Sequence, residues 1–227
     1  PQIFENLQHV LLDCDYFQLP YAIPSHGYTV LDIGAFVGFY TIASAYLVGT
    51  HGKVYAIEPN PEAFKMLHTN IKLNNLSNVL LYPAAISDRH GACTLYAGRY
   101  GAVSSLFPEH TSRYTDIATS YSVRCITMST LLRAVGNIDV LKIDAEGAEY
   151  SILKESRDEL WRVRTLIVEV HTHMVDPSDL ERLLYSLGFS SITVYTSSDM
   201  PEQVIVYATR NGRDLYTASI DLYTAIP

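Results

Sequence analysis

Short apolar runs of strand length take turns along this chain with segments whose apolar residues recur at helical spacing. That is the order expected of a parallel sheet wound with helices on both faces. Strands are predicted over 28–33, 53–57, 79–86, 138–144 and 163–171, with shorter ones over 92–97 and 122–128 and a closing pair over 191–195 and 203–209 whose last strand runs antiparallel. Helices are predicted over 39–48, stopped by Gly49, and from Pro61, where Asn60 can cap and Phe64, Leu67 and Ile71 recur toward the core. Three more are expected over 130–135, over 146–160 with Ile152 and Leu153 inward, and over 178–187, ended by Gly188. Between 98 and 120 the composition turns to Gly, Ser, Thr and Tyr, which reads as a substrate loop. Phe4, Leu7, Val10 and Leu11 stand at helical spacing ahead of the first strand. The expected division is therefore a helical lid over 1–27, one α/β domain over 28–210, and a tail over 211–227. In the tail Asp-Leu-Tyr-Thr-Ala occurs twice, at 214–218 and 221–225, which brings Leu215 and Leu222 onto one helical face able to dock on the domain or on a second copy of the chain.

Composition narrows the class. With 227 residues, 48% hydrophobic and 18% charged, the chain can bury one full core and little more. A formal net charge of -8 argues against long contacts with nucleic acid, which clustered Lys and Arg would carry. Cys14, Cys93 and Cys125 are odd in number and far apart, so reduced buried thiols are expected rather than a disulfide framework or a metal site. With no leader-like succession at the start and no apolar run long enough to cross a bilayer, the expected setting is the cytoplasm.

The chemistry starts where the first strand ends. Residues 30–40 read Val-Leu-Asp-Ile-Gly-Ala-Phe-Val-Gly-Phe-Tyr, an apolar strand running through Asp32, Gly34, Ala35, Phe36 and Gly38 into a helix. Such a loop lets backbone approach a ligand where a Cβ would collide, and it aims free helix N–H groups at that ligand. The second strand ends in Glu58 and Pro59, and a carboxylate at that tip is placed to accept both hydroxyls of a ribose. A nicotinamide dinucleotide is the obvious competitor, but the Gly-x-Gly-x-x-Gly spacing is absent and Phe39 stands at its third glycine. A looser loop with no pyrophosphate to cradle favours S-adenosylmethionine, with S-adenosylhomocysteine as its product. Ala85 and Ile86, with Ser87 or Asp88, are placed to meet the adenine.

Later strands are unusually polar for a sheet covered on both faces. Lys142 and Asp144 share one face of the fourth main strand, and Glu169 and His171 share one face of the fifth. Lys142 and Glu169 are expected to neutralise each other across adjacent strands, in a role either catalytic or limited to positioning loops.

Residues 138–149, Ile-Asp-Val-Leu-Lys-Ile-Asp-Ala-Glu-Gly-Ala-Glu, complete an ordered set of motifs. Together with the 32–38 loop, Glu-Pro-Asn at 58–60, Ala-Ile-Ser-Asp at 85–88 and Val-Glu-Val-His at 168–171, they resemble the FkbM family of methyltransferases over roughly 28–209. Phe36 departs from the pattern, standing where the family commonly has asparagine. The resemblance implies a Rossmann-like class I methyltransferase fold, a seven-stranded mostly parallel sheet with one antiparallel strand. It also implies S-adenosylmethionine-dependent O-methylation, in this family often of sugars, lipids or secondary metabolites.

Methyl transfer is an in-line displacement, so the acceptor oxygen must be held behind the methyl group, and a neutral alcohol must lose a proton. His171, with an ordinary pKa near neutrality, is the expected general base. Asp144 is the second candidate, as an acceptor orienting a hydroxyl or the donor's cationic end, or else a plain helix N-cap; Glu146 shares its environment. His171, His173 and Asp144 also present a metal-ligand set, but polar loop entry explains the histidine pair better and no metal is expected. His9, His26, His51, His68, His90 and His110 show no ligand spacing. Tyr96, Tyr100, Tyr114 and Tyr121, among 17 tyrosines, flank or fill the loop over 98–120, where packing is the expected role for most. A nicotinamide oxidoreductase and a non-catalytic nucleoside-binding module are the alternatives. The four polar groups Asp144, Glu146, Glu169 and His171 argue against the second.

Overall fold

The computed structural model describes residues 2–99, 103–196 and 202–210. The chain opens with α1 (Gln2–Leu7), continued by a π-helical turn over Gln8–Leu12, and reaches β1 (Thr29–Ile33) and α2 (Phe39–Val48). There follow β2 (Lys53–Ile57), α3 (Pro61–Leu73), β3 (Val79–Tyr82), β4 (Ala85–Ser87), β5 (Gly91–Gly98), β6 (Ser104–Ser105), α4 (Pro108–Tyr114) and β7 (Ile117–Thr127). The second half runs through α5 (Met128–Val135), β8 (Ile138–Ile143), α6 (Glu149–Glu155), β9 (Val163–His171), α7 (Pro177–Ser186), β10 (Ser191–Tyr195) and β11 (Gln203–Thr209).

The main sheet has seven strands in the order β10-β11-β9-β8-β1-β2-β3. All its pairings are parallel except those of β11, which runs antiparallel to both β9 and β10. Side-chain alternation sorts the core onto two faces. Leu31, Ile33, Leu141, Ile143, Leu166 and Val168 pack with residues of α5, α6 and α7. Val30, Val54, Val140, Ile167 and Tyr207 pack with α2 and with Val10, Tyr16 and Phe17 from the chain before β1. Asn60 caps α3, its side chain accepting from the N–H groups of Glu62 and Ala63 at 2.9 and 3.3 Å, and Leu67 and Ile71 are buried as their spacing predicts. The chain steps outward from β1 to β2 and β3 on one side and from β8 to β9 on the other. The crevice beyond the carboxyl ends of β1 and β8 is thus the switch point where α/β sheets bind ligands.

Several boundaries depart from the pattern. The single strand expected over 79–86 breaks at Pro83, and its second piece leaves the main sheet to pair with β7 in a separate four-stranded sheet ordered β4-β7-β5-β6. The stretch expected to be a loop over 98–120 carries β6, α4 and the start of β7. The helix expected from Glu146 begins only at Glu149, because Glu146 and Gly147 take positive φ of 50° and 102°. That removes the N-cap role from Asp144. Cys93 and Cys125 form a disulfide between neighbouring strands β5 and β7, correcting the reduced-thiol expectation, while Cys14 is free. Among the described residues no helix is long and apolar enough to cross a membrane. The repeated tail lies outside the described residues.

Candidate active site

At the switch point the loop after β1 is pinned from below. Gly34 and Ala35 donate their N–H groups to the Ile57 carbonyl at 3.0 and 3.1 Å. Gly34 has φ of 75°, and a Cβ there would come within 1.8 Å of the Asp144 carbonyl oxygen, so only glycine lets the β1 and β8 ends close on each other. Gly38 serves packing instead, since its Cβ would sit 2.5 Å from Leu67 Cδ1.

Glu58 ties the two loops together. Its Oε2 accepts from the Phe36 N–H and its Oε1 from the Asn60 N–H, both at 2.7 Å. Burial pushes this carboxyl up to about 7, opposed in part by the same two amides. Phe36 itself is left-handed at φ 49°, which turns its N–H onto Glu58.

A cavity of about 390 Å³ opens above these loops. Gly34, Phe36, Glu58, Pro59, Ala84, Ala85 and Ile86 line one end, and Asp144, Glu146, Glu169 and Tyr114 line the other. Glu5, Asn6, His9 and Tyr16 close it from the chain before β1. Asp32, Ala35, Gly38, Ser87 and Asp88 are not on its wall. Asp32 is fully buried, accepting from Thr41 Oγ1 at 2.5 Å and facing Lys142 Nζ at 3.5 Å.

The expected Lys142–Glu169 pair does not form. In the β1–β8 register Lys142 stands beside Asp32, and on β9 it stands beside Ile167. Its Nζ donates to the Gly34 carbonyl at 2.9 Å and to Asp144 Oδ2 at 3.2 Å. Burial alone would lower this ammonium, but Asp144 and Asp32 more than offset it and hold the group charged. Lys142 is thus a clamp under the loop. Glu169 instead accepts a short hydrogen bond from the Tyr16 hydroxyl, which also reaches Asp144 Oδ2 at 3.4 Å. Burial and the nearby Asp144 raise Glu169 above the ordinary carboxylate range.

His171 is where the geometry departs most from expectation. It is 1% exposed, stands behind Glu146 rather than on the cavity wall, and faces Glu149 Oε1 at 3.5 Å and Glu146 Oε2 at 3.4 Å. Burial would lower it, but those carboxylates overcome the penalty and raise it above its ordinary value. An imidazole that already holds its proton at neutral pH is no general base, so the base role moves off His171. His110, for which the sequence shows no ligand spacing, is brought beside it. Its Nε2 lies 2.6 Å from Glu146 Oε2, and burial, then His171, pull it down to about 4. Tyr16 and His110 are the site residues that sequence reasoning missed. Tyr16 is separated from Glu169 by 153 residues and His110 from Glu146 by 36, so no local spacing marks either.

Comparison with known proteins bears on the family and the fold. The family model described as the methyltransferase FkbM domain matches residues 32–191. The hexuronic acid methyltransferase AglP of Haloferax volcanii is 28% identical over 191 residues, covering 79% of this chain and 70% of that protein. A crystal structure of a methyltransferase FkbM from Methylobacillus flagellatus superposes with a TM-score of 0.59 at 15% identity, over 89% of this chain and 52% of that one. Fibrillarin of Aeropyrum pernix, solved with natively bound S-adenosyl-L-methionine, superposes with a TM-score of 0.54 at 16% identity, over 90% of this chain and 74% of that one.

Proposed function

This chain belongs to the FkbM methyltransferase family, a premise from which we propose that it methylates a hydroxyl of a sugar or other small molecule at the carboxylate-lined end of the cavity. It is an S-adenosylmethionine-dependent methyltransferase, which displaces the nicotinamide and non-catalytic readings. The donor fits the residues present. Gly34 presents bare backbone to the cavity, Glu58 offers a ribose-accepting carboxylate, and Asp144 Oδ1 is buried without a hydrogen-bond partner. Phe36, Pro59, Ala85 and Ile86 line the adenosine side, while Asp32, Ala35 and Gly38 act behind the wall by fixing the loop. Bound there, the donor supplies an electrophilic methyl group.

One observation carries the hydroxyl reading. Glu169 faces the cavity with a carboxyl raised by burial and fixed by the Tyr16 hydroxyl, as suits a group that takes a proton from a neutral alcohol near neutral pH. Lys142 and Asp144 position the loop and the donor, and Glu146 shapes the acceptor end. The action of AglP on a hexuronic acid supports a sugar as the acceptor class. A screen with labelled donor against free sugars, hexuronic acids, simple alcohols and matched amines tests this. Label on oxygen is expected, and transfer confined to amines sinks the hydroxyl reading.

A further inference from the structure

Behind the acceptor end, three side chains from separate elements converge on one point. His110 comes from α4, Glu146 from the turn after β8, and His171 from the end of β9. Both His110 Nε2, at 2.6 Å, and His171 Nε2, at 3.4 Å, face the same atom, Glu146 Oε2, and one ligand atom from each residue lies within 4.8 Å of the others. We propose that His110, Glu146 and His171 bind a divalent first-row transition-metal ion beside the donor cavity.

The surroundings are built as metal sites are built. In such sites the far ring nitrogen of each histidine is held by a second group, which fixes the ring and turns the other nitrogen to the ion. Here Glu149 Oε1 faces His171 Nδ1 at 3.5 Å while itself accepting from the Ala145 and Gly147 N–H groups at 3.1 and 2.9 Å. His173 Nε2 plays the same part at His110 Nδ1, at 3.1 Å.

An independent observation points to a ligand. His171 is 1% exposed, and its Nε2, the nitrogen aimed into the cluster, makes no hydrogen bond although it faces Glu146 Oε2 at 3.4 Å. Buried polar atoms are nearly always satisfied, so a side chain left in this way and aimed into a cluster calls for a partner. Glu146 adds to the case. A non-glycine residue at φ 50° costs about 1–2 kcal/mol, and Ser105 Oγ fixes this turn by donating to the Glu146 carbonyl at 2.6 Å.

Two imidazoles and one carboxylate suit zinc, iron, cobalt or manganese better than magnesium, which prefers oxygen, and the ion would displace the proton that His171 otherwise holds. Because Glu146 also lines the cavity, an ion held here would lie next to the acceptor end, where it could polarise an acceptor hydroxyl, and Glu169, whose Oε1 is 4.0 Å from His171 Nε2, is placed to take the proton. This role rests on the hydroxyl-methylation reading; the binding itself does not.

The test is titration of the chelator-stripped full chain with Co²⁺, followed by visible absorption and calorimetry, with Zn²⁺ as competitor. One Co²⁺ per chain with ligand-field bands is expected. His110→Ala, His171→Ala and Glu146→Gln should each weaken binding by about 100-fold, and Glu149→Gln by about 10-fold. Retained S-adenosylmethionine binding by these variants shows that they are folded. No cobalt spectrum, or binding that survives all three ligand substitutions, overturns the site. Alcohol methylation by a chain that takes up no cobalt overturns the site and leaves the hydroxyl reading standing. Cobalt uptake lost in the ligand variants supports the site even if no alcohol is methylated.

Discussion

At the donor end of the cavity the structure is held by backbone, and at the acceptor end by side chains. Glu58 accepts the Phe36 and Asn60 amides, Gly34 and Ala35 donate to the Ile57 carbonyl, and Gly34 meets the Asp144 carbonyl edge to edge. Across the cavity, Tyr16, His110, Glu146, Glu169 and His171 meet through hydroxyl, imidazole and carboxylate groups drawn from four separate segments. A backbone-built half tolerates many side chains but no shift of the chain. A side-chain-built half keeps its frame when one group is replaced and loses only that group's chemistry. The two halves should therefore fail differently.

The largest effect is expected at the acceptor end. Glu169→Gln keeps the shape of the side chain and removes the proton acceptor, so kcat should fall by about 10²- to 10⁴-fold. Donor affinity measured by calorimetry should stay within about twofold if the halves are separable. A parallel loss of donor binding breaks the division. Gly34→Ala is the converse. The added Cβ meets a backbone oxygen at a left-handed position, and strain with overpacking should cost about 2–5 kcal/mol, read from the denaturant midpoint, with donor binding lost as well. A stable Gly34→Ala chain that binds donor normally would show that the close approach of β1 and β8 is dispensable.

The same contrast governs what the amino-acid pattern reveals. The loop and the Glu58 carboxylate that ties it down lie within one strand-helix-strand unit, Phe36 and Glu58 being 22 residues apart, so periodicity and glycine placement mark them in the sequence. The succession of strands and helices in the main sheet follows for the same reason, since each βαβ unit is local, whereas the pairing of β1 with β8 is not. The Cys93–Cys125 bond depends on the β5–β7 register, which no spacing specifies, and the Lys142 partner depends on a register that puts Asp32, not Glu169, beside it. Glu146 illustrates the limit most sharply. Its helix-like context hides a left-handed turn that moves the helix start to Glu149, and that turn delivers the carboxylate to two histidines.

Glu58 offers a subtler probe of the donor half. Glu58→Gln should weaken donor binding by about 10- to 100-fold, the worth of a hydrogen bond to a charged group, with kcat at saturating donor little changed. The sign of its pH dependence follows from the raised carboxyl. Above about 7 the group is a carboxylate able, on the proposed reading, to accept both ribose hydroxyls, and below that it gains a proton and loses an acceptor site. Donor affinity should therefore rise from pH 6 to pH 8 and level off, by up to about tenfold per unit below the midpoint, and the Gln variant should show a flat profile. Affinity that falls with rising pH would contradict this assignment.

The smallest expected effect tests where the two halves touch. The Tyr16 hydroxyl reaches Glu169 from one side and Asp144 from the other, while its ring packs edge-on to Tyr40 with centroids 5.6 Å apart. Tyr16→Phe keeps that packing and removes only the hydroxyl, so the fold should hold. A hydrogen bond to a charged group contributes about 1.5 kcal/mol at the low end, hence a loss in kcat/KM near tenfold is expected. Where that loss appears is the informative part. Confinement to kcat places Tyr16 with Glu169 in the acceptor half, whereas a rise in the donor's KM alone places it with Asp144 and the donor. A loss shared equally between the two would mean that the hydroxyl couples the halves, with the segment before β1 as the strap across both.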